Sequence, residues 1–170
     1  ACPCGRGQYR LPMIRQALFH LICGTAICIG GAAMAETRAV LIGVSDYLTL
    51  DADLKGPDND VALMVEVLQA RGVALAQMRV LGGRVLPSGV EHGQPTRAQI
   101  MAALDAVADQ TLAGDTVVFY FSGHGSQAPD QSGDEGGGYD EILLPADAAG
   151  WKGSIGAVEN AILDDELQDW

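Results

Sequence analysis

One histidine in this chain stands where it can exchange protons with a bound molecule. His124 lies between Gly123 and Gly125, directly after an apolar run from Val117 to Phe121. The run is β-branched and aromatic without alternation, which predicts a strand buried on both faces of a parallel sheet. Ligands of open α/β sheets bind just beyond the carboxyl ends of such strands, so a general acid or base is expected at this position.

The two glycines beside the histidine suit the same chemistry. They leave the imidazole clear of neighbouring side chains, and the backbone N–H groups of a glycine turn can face a developing oxyanion. A single histidine near a strand end is nevertheless more often a structural hydrogen-bonding residue than a catalyst. The chain contains no Gly-x-Ser-x-Gly sequence, which argues against a serine-hydrolase nucleophile elbow.

Residues 13–35 predict an export signal, and residues 1–12 before them are taken as upstream sequence. Arg15 supplies a positive start, residues 17–29 are mostly apolar, and residues 33–35 read Ala-Met-Ala, a small-x-small cleavage pattern. The apolar stretch is shorter than the about 20 residues that span a bilayer. We therefore expect cleavage after residue 35, no stable membrane span after cleavage, and a periplasmic or secreted protein. A retained anchoring helix or a cytoplasmic location is the alternative.

The acidic composition narrows the set of partners. The chain has 10 Lys and Arg residues against 22 Asp and Glu, a formal charge of −12. Residues 36–170 hold all 22 acids and seven of the bases, a formal charge of −15. Such a segment repels nucleic-acid phosphates and anionic lipids, so no nucleic acid is expected, and it favours basic peptides or divalent cations. An acidic surface also keeps exported proteins soluble, and charge alone leaves that simpler explanation open.

Strand and helix patterns alternate from residue 38 onward. The predicted strands are 38–44, 77–81, 117–121, 139–145 and a short extended piece at 161–163; the predicted helices are 58–72, 97–112 and one that begins at 164. Residues 82–94 and 127–138 are expected to be loops. Asp58 or Asn59 can cap the first helix and Thr96 the second. The alternation predicts an α/β fold, with a doubly wound, mostly parallel sheet flanked by helices, in one domain over residues 36–170.

Several short sequences resemble the caspase-like cysteine peptidases, and specifically their metacaspase branch. They are Val40-Leu-Ile-Gly-Val-Ser-Asp-Tyr47, Leu54-Lys-Gly-Pro-Asp-Asn-Asp-Val61, Phe119-Tyr-Phe-Ser-Gly-His-Gly-Ser-Gln127, Gly138-Tyr-Asp-Glu-Ile-Leu-Leu-Pro-Ala-Asp147 and Ile162-Leu-Asp-Asp-Glu-Leu167. Their order and spacing are similar to those of the family, and the resemblance extends over residues 38–170. It implies a caspase-like fold that is incomplete at the carboxyl end of the chain.

The resemblance implies proteolysis by a histidine–cysteine dyad. In that family a thiolate attacks the peptide carbonyl while an imidazole manages protons, which implies the histidine role for His124 and an oxyanion-binding N–H for Gly125. All four cysteines fall within the first 28 residues, and the family's cysteine follows a further strand that would come after Trp170. A general base cannot replace a missing nucleophile, so we expect this chain alone to be inactive.

The resemblance also implies cleavage after Arg or Lys. Asp60 and Ser122 match positions that line the family's acidic pocket, where a carboxylate holds a substrate guanidinium by charge-assisted hydrogen bonds. Asp60 can equally be a carboxylate that stabilises the start of a helix. The expected partners are peptide or protein substrates with Arg or Lys at the cleaved position.

Asp140, Asp164 and Asp165 match the metal-binding carboxylates of calcium-activated metacaspases. Carboxylates brought together repel one another unless a hard cation neutralises them, so the resemblance implies Ca²⁺ as a cofactor, and no organic cofactor is expected. The simpler explanation is that the acidic run at residues 164–166 begins a helix, where acidic side chains are favoured.

Two functions other than proteolysis stay open at this point. One is a catalytically inactive caspase-like domain used for binding or regulation. The other is an acidic, calcium-binding exported domain without catalytic ancestry. For the full-length protein we expect a cysteine-type endopeptidase.

Overall fold

The computed structural model of the chain describes residues 35–83, 86–130, 132–133, 136–168 and 170. The upstream segment at residues 1–12 lies outside the described residues, as does all of the expected export signal except Ala35. Export and signal cleavage therefore stay predictions. Within the ranges given above, no helix has both the length and the apolar character needed to cross a membrane.

Four parallel strands form the main sheet. They are β1 (Thr37–Gly43), β2 (Met78–Leu81), β3 (Glu91–Gly93) and β4 (Thr116–Ser122). Their order across the sheet is β3-β2-β1-β4, so β1 is paired on both sides, with β2 and with β4. The run from Ala39 to Ile42 is fully buried, as expected for the continuous apolar sequence of an inner parallel strand.

Two helices cover the two faces of this sheet. Along the chain, helix α1 (Pro57–Ala70) connects β1 to β2, and helix α2 (Arg97–Ala108) connects β3 to β4. Alternate side chains of β1 point to opposite faces. Ala39 and Leu41 pack with α1, whereas Val40 and Ile42 pack with α2. The helices contribute residues at helical spacing to these two clusters: Val61, Val65 and Leu68 from α1, and Ile100, Leu104 and Val107 from α2. The predicted α/β fold class is confirmed.

The starts of the two helices differ in how they are capped. Thr96 caps α2 as predicted, because its side chain accepts a hydrogen bond from the Gln99 N–H. The prediction that Asp58 or Asn59 caps α1 is wrong, since the N-cap residue is Gly56 and the Asp58 N–H donates to the Ser45 hydroxyl at 3.2 Å. Pro57 occupies the first turn, where its fixed φ suits a helix start and its missing N–H costs nothing. The carboxylate of Asp58 instead accepts a hydrogen bond from the Gly83 N–H at 3.2 Å.

A second, antiparallel sheet follows β4. It contains β5 (Gly125–Pro129), β6 (Tyr139–Leu143) and β7 (Ile162–Leu163), in the order β5-β6-β7, and the short helix α3 (Asp164–Gln168) follows β7. The expectation of loops throughout 82–94 and 127–138 is wrong where β3 and the end of β5 lie. These strands are short and contain glycine, proline and polar residues, so they lack the alternation of apolar and polar residues that predicts a strand. Their conformation depends on pairing with a neighbouring strand.

Strand β4 is less buried than its apolar sequence predicts. Every residue from Val117 to Ser122 is only partly buried. Among the strands that the structure describes, β4 pairs with β1 alone, so its other edge carries no strand partner. Its side chains do pack on both faces, with Phe119 in one cluster and Tyr120 in the other. The expectation of full burial is wrong, because an edge strand leaves its outer backbone groups and neighbouring side chains open.

Gly82 provides a direct test of how closely β1 and the end of β2 approach. Its φ is +85°, and a Cβ atom at this position would lie 1.9 Å from the carbonyl oxygen of Gly43. We expect Gly82→Ala to lower the free energy of unfolding by about 3 kcal/mol or more, because backbone strain and a collision between backbone atoms add together. Chemical unfolding followed by circular dichroism measures the loss.

Gly72→Ala is the matched control for Gly82→Ala. Gly72 ends α1 with φ +89°, and no atom lies within 4 Å of the Cβ position. This variant should lose only the about 1 kcal/mol that an L-residue costs in the left-handed region. Equal losses in the two variants would contradict the close approach at Gly82.

Candidate active site

Strand β4 carries His124 to the carboxyl end of the parallel sheet. His124 lies in the short connection between Ser122, the last residue of β4, and Gly125, the first residue of β5. Its N–H donates to the Tyr47 hydroxyl at 2.9 Å, and its carbonyl accepts from the Leu144 N–H at 3.0 Å. The Tyr47 hydroxyl donates in turn to the Leu144 carbonyl at 3.3 Å. Hydrogen bonds therefore fix both the backbone N–H and the backbone carbonyl of His124, independently of the contacts of its ring.

The imidazole of His124 makes a hydrogen bond that defines its tautomer. Nε2 lies 2.9 Å from the carbonyl oxygen of Ala52. A carbonyl oxygen can only accept, so Nε2 carries the proton of this bond. In the neutral ring the basic lone pair is then on Nδ1. Nδ1 is thus the nitrogen that can take a proton from a nucleophile and return it to a leaving group.

The loop after β1 presents the Ala52 carbonyl to the histidine. The carboxylate of Asp53 accepts from the Tyr47 N–H at 2.8 Å, and the Leu54 N–H donates to the Ser45 carbonyl at 2.8 Å. These bonds close the loop on itself. The acceptor for the imidazole and the hydroxyl that holds the histidine backbone therefore belong to one short, internally bonded segment.

Two aromatic rings flank the imidazole. The centroid of the Tyr47 ring lies 5.4 Å away with an interplanar angle of 39°, and that of Trp151 lies 4.9 Å away with an angle of 46°. Both are tilted contacts in the usual range for aromatic pairs. No role is predicted for either side chain from the sequence. Trp151 stands between β6 and β7 in a stretch without periodic pattern, so no sequence signal connects it to His124.

Asp60 and Ser122 are distant in sequence and adjacent in space. The Ser122 hydroxyl donates to Asp60 Oδ2 at 2.7 Å, across a separation of 62 residues. Asp60 is exposed in the first turn of α1, where the helix dipole favours an acid, and Ser122 is partly buried. The carboxylate makes no capping bond to α1 and is oriented instead by a hydroxyl two residues before His124. Such an oriented, exposed carboxylate can bind a cationic side chain.

Gly125 begins β5 directly after the histidine. It is exposed and stands opposite Leu143 in the antiparallel register. A Cβ at this position would lie 3.4 Å from the carbonyl oxygen of Ile142, an ordinary contact distance. Space therefore does not demand glycine here, and the oxyanion role of the Gly125 N–H stays a prediction.

The three acids expected to bind calcium lie at one end of the second sheet. Strand β6 pairs antiparallel with β7, so the start of α3, with Asp164 and Asp165, lies toward the end of β6 that carries Asp140. Asp140 is only 1 % exposed. Asp164 Oδ1 is buried without a hydrogen bond to any residue that the structure describes. These oxygen donors suit a hard cation, although no three acidic, histidine or cysteine side chains within the described ranges converge to hold a metal ion.

An ion pair anchors α3 to α2 beside these acids. Arg97 Nη1 lies 3.0 Å from Glu166 Oε2, and Arg97 Nη2 contacts Glu166 Oε1. Glu166 also accepts from the Leu163 N–H at 3.0 Å, and Arg97 donates to the Ala161 carbonyl at 2.8 Å. The hydrogen bond between the two side chains lowers the pKa of Glu166 and raises the pKa of Arg97. The helix that carries two of the expected calcium ligands is thereby fixed to the main fold.

The Tyr47 hydroxyl holds the site together, and its removal tests that role. Burial raises the pKa of Tyr47, so the hydroxyl stays protonated and can donate to Leu144 at neutral pH. We expect Tyr47→Phe to lower the free energy of unfolding by about 1–3 kcal/mol and to speed amide exchange at His124, because the partly buried His124 N–H and the buried Leu144 carbonyl lose their partner. Tyr139→Phe removes an exposed hydroxyl and should change stability by less than about 0.5 kcal/mol. Similar effects in both variants, measured by chemical unfolding and amide hydrogen exchange, would show that the bridge is unimportant.

Comparison with known proteins places this arrangement in a family. Residues 37–170 match the model of the metacaspase, peptidase C14 domain. Metacaspase-1A of Aspergillus niger is 37 % identical over 135 residues, and Metacaspase-1 of Emericella nidulans is 35 % identical over 133 residues. Each match covers 78 % of this chain and 30 % of the relative, so the chain spans about a third of the length of these curated relatives.

A solved structure supports the fold independently. The crystal structure of protein GSU0716 from Geobacter sulfurreducens is similar with a TM-score of 0.55 and 24 % sequence identity, over 79 % of this chain and 44 % of that one. At this identity the likeness concerns the fold alone. The resemblance seen in the sequence is confirmed by the family model and by the curated relatives, and the chain belongs to the metacaspase family of C14 peptidase domains.

Proposed function

We propose that this chain is the histidine-bearing part of a cysteine-type endopeptidase. The observation that carries the proposal is the state of the His124 ring, whose Nε2–H is engaged by the Ala52 carbonyl and whose basic nitrogen is therefore Nδ1. A thiol nucleophile requires a nearby base that accepts its proton, and an imidazole of fixed tautomer can be that base. The carboxyl end of a parallel sheet is also where a substrate is expected to bind. Membership of the metacaspase family supports a protein substrate.

The nucleophile must come from outside the residues described above. Residues 36–170 contain no cysteine. The matched residues make up only 30 % of each of these curated relatives, which leaves ample polypeptide in a longer protein to supply a thiol. We propose that this thiol approaches Nδ1 of His124, and that the chain by itself does not cleave peptides.

The proposed reaction divides peptide hydrolysis into two transfers. The thiol gives its proton to Nδ1, the thiolate attacks the carbonyl carbon, and the Gly125 N–H stabilises the resulting oxyanion. The imidazolium then protonates the departing amine as the carbon–nitrogen bond breaks. Water, deprotonated by the same nitrogen, releases the acyl group from sulfur and restores the thiol.

The pair of Asp60 and Ser122 supports a preference for Arg or Lys before the cut bond. The Asp60 carboxylate is exposed and is oriented by a 2.7 Å hydrogen bond from the Ser122 hydroxyl. Ser122 lies two residues before His124 in the sequence, so the carboxylate is held near the histidine. A guanidinium or ammonium bound there would gain charge-assisted hydrogen bonds. The net negative charge of the chain would also raise the local concentration of basic peptides.

A catalytically inactive binding domain is the second candidate. The exposed Asp60 carboxylate, oriented by Ser122, supports it, because such a group can bind a cationic side chain without any nucleophile. The two candidates differ in one measurable respect. Only the endopeptidase cleaves a basic peptide when the full-length protein is present.

Cleavage of fluorogenic peptides by the full-length protein tests the proposal. We expect cleavage after Arg and Lys, with His124→Ala lowering kcat/KM by at least about a hundredfold, the smaller end of the contribution of a general base. Asp60→Asn should lower kcat/KM for basic peptides by about tenfold to a hundredfold, through loss of hydrogen bonds to a charged group. Asp105→Asn, at an exposed acid of α2, is the matched control and should have no effect. No cleavage by the unaltered protein, with or without calcium, would favour the binding domain.

Calcium binding by Asp140, Asp164 and Asp165 is proposed as a second property of the domain. The buried Asp164 Oδ1, which has no hydrogen bond to a residue that the structure describes, supports it, because such an oxygen gains more from a cation than an exposed carboxylate does. The three carboxylates do not converge within the described residues, so a calcium ion would have to draw them together. Titration calorimetry of the protein with CaCl₂ should therefore detect binding that Asp164→Asn weakens by at least about tenfold, the lower end of what loss of a charged hydrogen-bonding group costs. Equal binding by Asp164→Asn and by the control Asp105→Asn would contradict this site.

A further inference from the structure

We infer that Trp151 is a positioning residue for His124, an inference that rests on the function proposed above. The two rings are in contact, with centroids 4.9 Å apart. Trp151 touches no reacting atom and acts through the imidazole. Its role is to keep Nε2 on the Ala52 carbonyl and Nδ1 turned toward the place of the nucleophile.

The orientation of Trp151 is fixed by a hydrogen bond to the strand that follows the histidine. The indole Nε1–H donates to the Ser126 hydroxyl at 3.1 Å, and that hydroxyl faces the carbonyl of Ser154 at 3.5 Å. Ser126 stands two residues after His124, in β5. The indole is thus tied to the same backbone segment whose imidazole it contacts.

The segment that carries Trp151 is itself closed and pinned to β5. Ala149 and Glu159 exchange two backbone hydrogen bonds of 3.0 and 2.9 Å, which join the two ends of the loop. The Gly156 N–H donates to the Gln127 carbonyl at 3.0 Å, one residue beyond Ser126. Two backbone hydrogen bonds therefore close the loop, and a third joins it to β5.

The contact between Trp151 and His124 matters because a neutral imidazole can carry its proton on either nitrogen, and only one of the two tautomers leaves Nδ1 free to accept the proton of the nucleophile. Rotation of the ring by half a turn would exchange Nε2 with Cε1 and Nδ1 with Cδ2, which would break the bond to Ala52 and turn Nδ1 away from its present direction. Tyr47 and Trp151 occupy space on the ring surface and oppose that rotation. Small misplacements of a catalytic group cost about a hundredfold in rate, so a residue that restricts this ring acts on kcat rather than on substrate binding.

Four variants separate positioning from simple packing. Trp151→Leu keeps an apolar side chain and removes the aromatic ring, whereas Trp151→Phe keeps a ring without the N–H. Ser126→Ala keeps the indole and removes its anchor. Trp170→Phe changes the other tryptophan of the chain, outside this contact, and is the matched control.

Steady-state cleavage of a basic peptide by the full-length protein gives the first readout. We expect Trp151→Leu to lower kcat by about tenfold to a hundredfold while KM changes less than about threefold, and Trp151→Phe to restore most of the rate. Ser126→Ala should lower kcat by less than Trp151→Leu does. A kcat for Trp151→Leu equal to that of Trp170→Phe would overturn the inference.

The ¹⁵N resonances of the His124 ring give a readout that does not depend on cleavage. At a pH where the ring is neutral, the unaltered protein should show the Nε2–H tautomer alone, and Trp151→Leu should show both tautomers. An unchanged single tautomer in Trp151→Leu would overturn the inference even if the protein cleaved nothing, a result that would separately refute the proposed function. If circular dichroism shows that Trp151→Leu does not fold, Ser126→Ala decides: unchanged kcat and an unchanged tautomer in that variant overturn the inference.

Discussion

The hydrogen bond from His124 Nε2 to the Ala52 carbonyl is the interaction on which the rest of the site depends. It joins two loops that leave neighbouring parallel strands, one after β1 and one after β4. Each loop is held by bonds of its own, through Asp53 on one side and through Leu144 on the other. The imidazole is thus oriented by backbone that is already fixed, so little conformational entropy is lost when a reaction uses it.

The topology of the sheet explains why these two loops meet. From β1 the chain adds β2 and β3 on one side and then crosses to place β4 on the other. The loops that follow β1 and β4 therefore begin side by side at the carboxyl ends of neighbouring parallel strands, where ligands of open α/β sheets bind. Gly43 of β1 stands opposite Ser122 of β4, so both loops begin at the same level of the sheet. The buried apolar side chains of β1 pack against α1 on one face and α2 on the other, and this packing fixes the position of the strand.

The sequence predicted the scaffold better than the contacts within the site. Inner strands and amphipathic helices carry their own periodicity, and the positions of β1, α1 and α2 followed from it within a few residues. The strand β3, the end of β5 and the exposure of β4 could not be predicted this way, because they depend on which strands pair. For the site, the sequence pattern singled out His124, and the resemblance to metacaspases added Asp60 and Ser122.

The contacts that orient these residues could not be predicted. The Ala52 carbonyl is a backbone atom and has no residue signature. Trp151 reaches the imidazole only because a loop folds back on β5, and the Asp60–Ser122 bond joins residues far apart in sequence. Contacts of this kind depend on the assembled fold, so residue types and spacing do not reveal them.

The group that orients His124 is a dipole rather than a charge, and this distinction has consequences in so acidic a protein. Catalytic histidines are often oriented by a buried carboxylate, which also stabilises the imidazolium. In this protein two carboxylates of the site make other hydrogen bonds: Asp53 accepts from the Tyr47 N–H, and Asp60 accepts from the Ser122 hydroxyl. A carbonyl fixes the tautomer without adding negative charge next to the place where a thiolate would form. Since a neighbouring carboxylate would repel that thiolate, orientation by Ala52 suits the proposed cysteine chemistry and leaves Asp60 available for a cationic substrate.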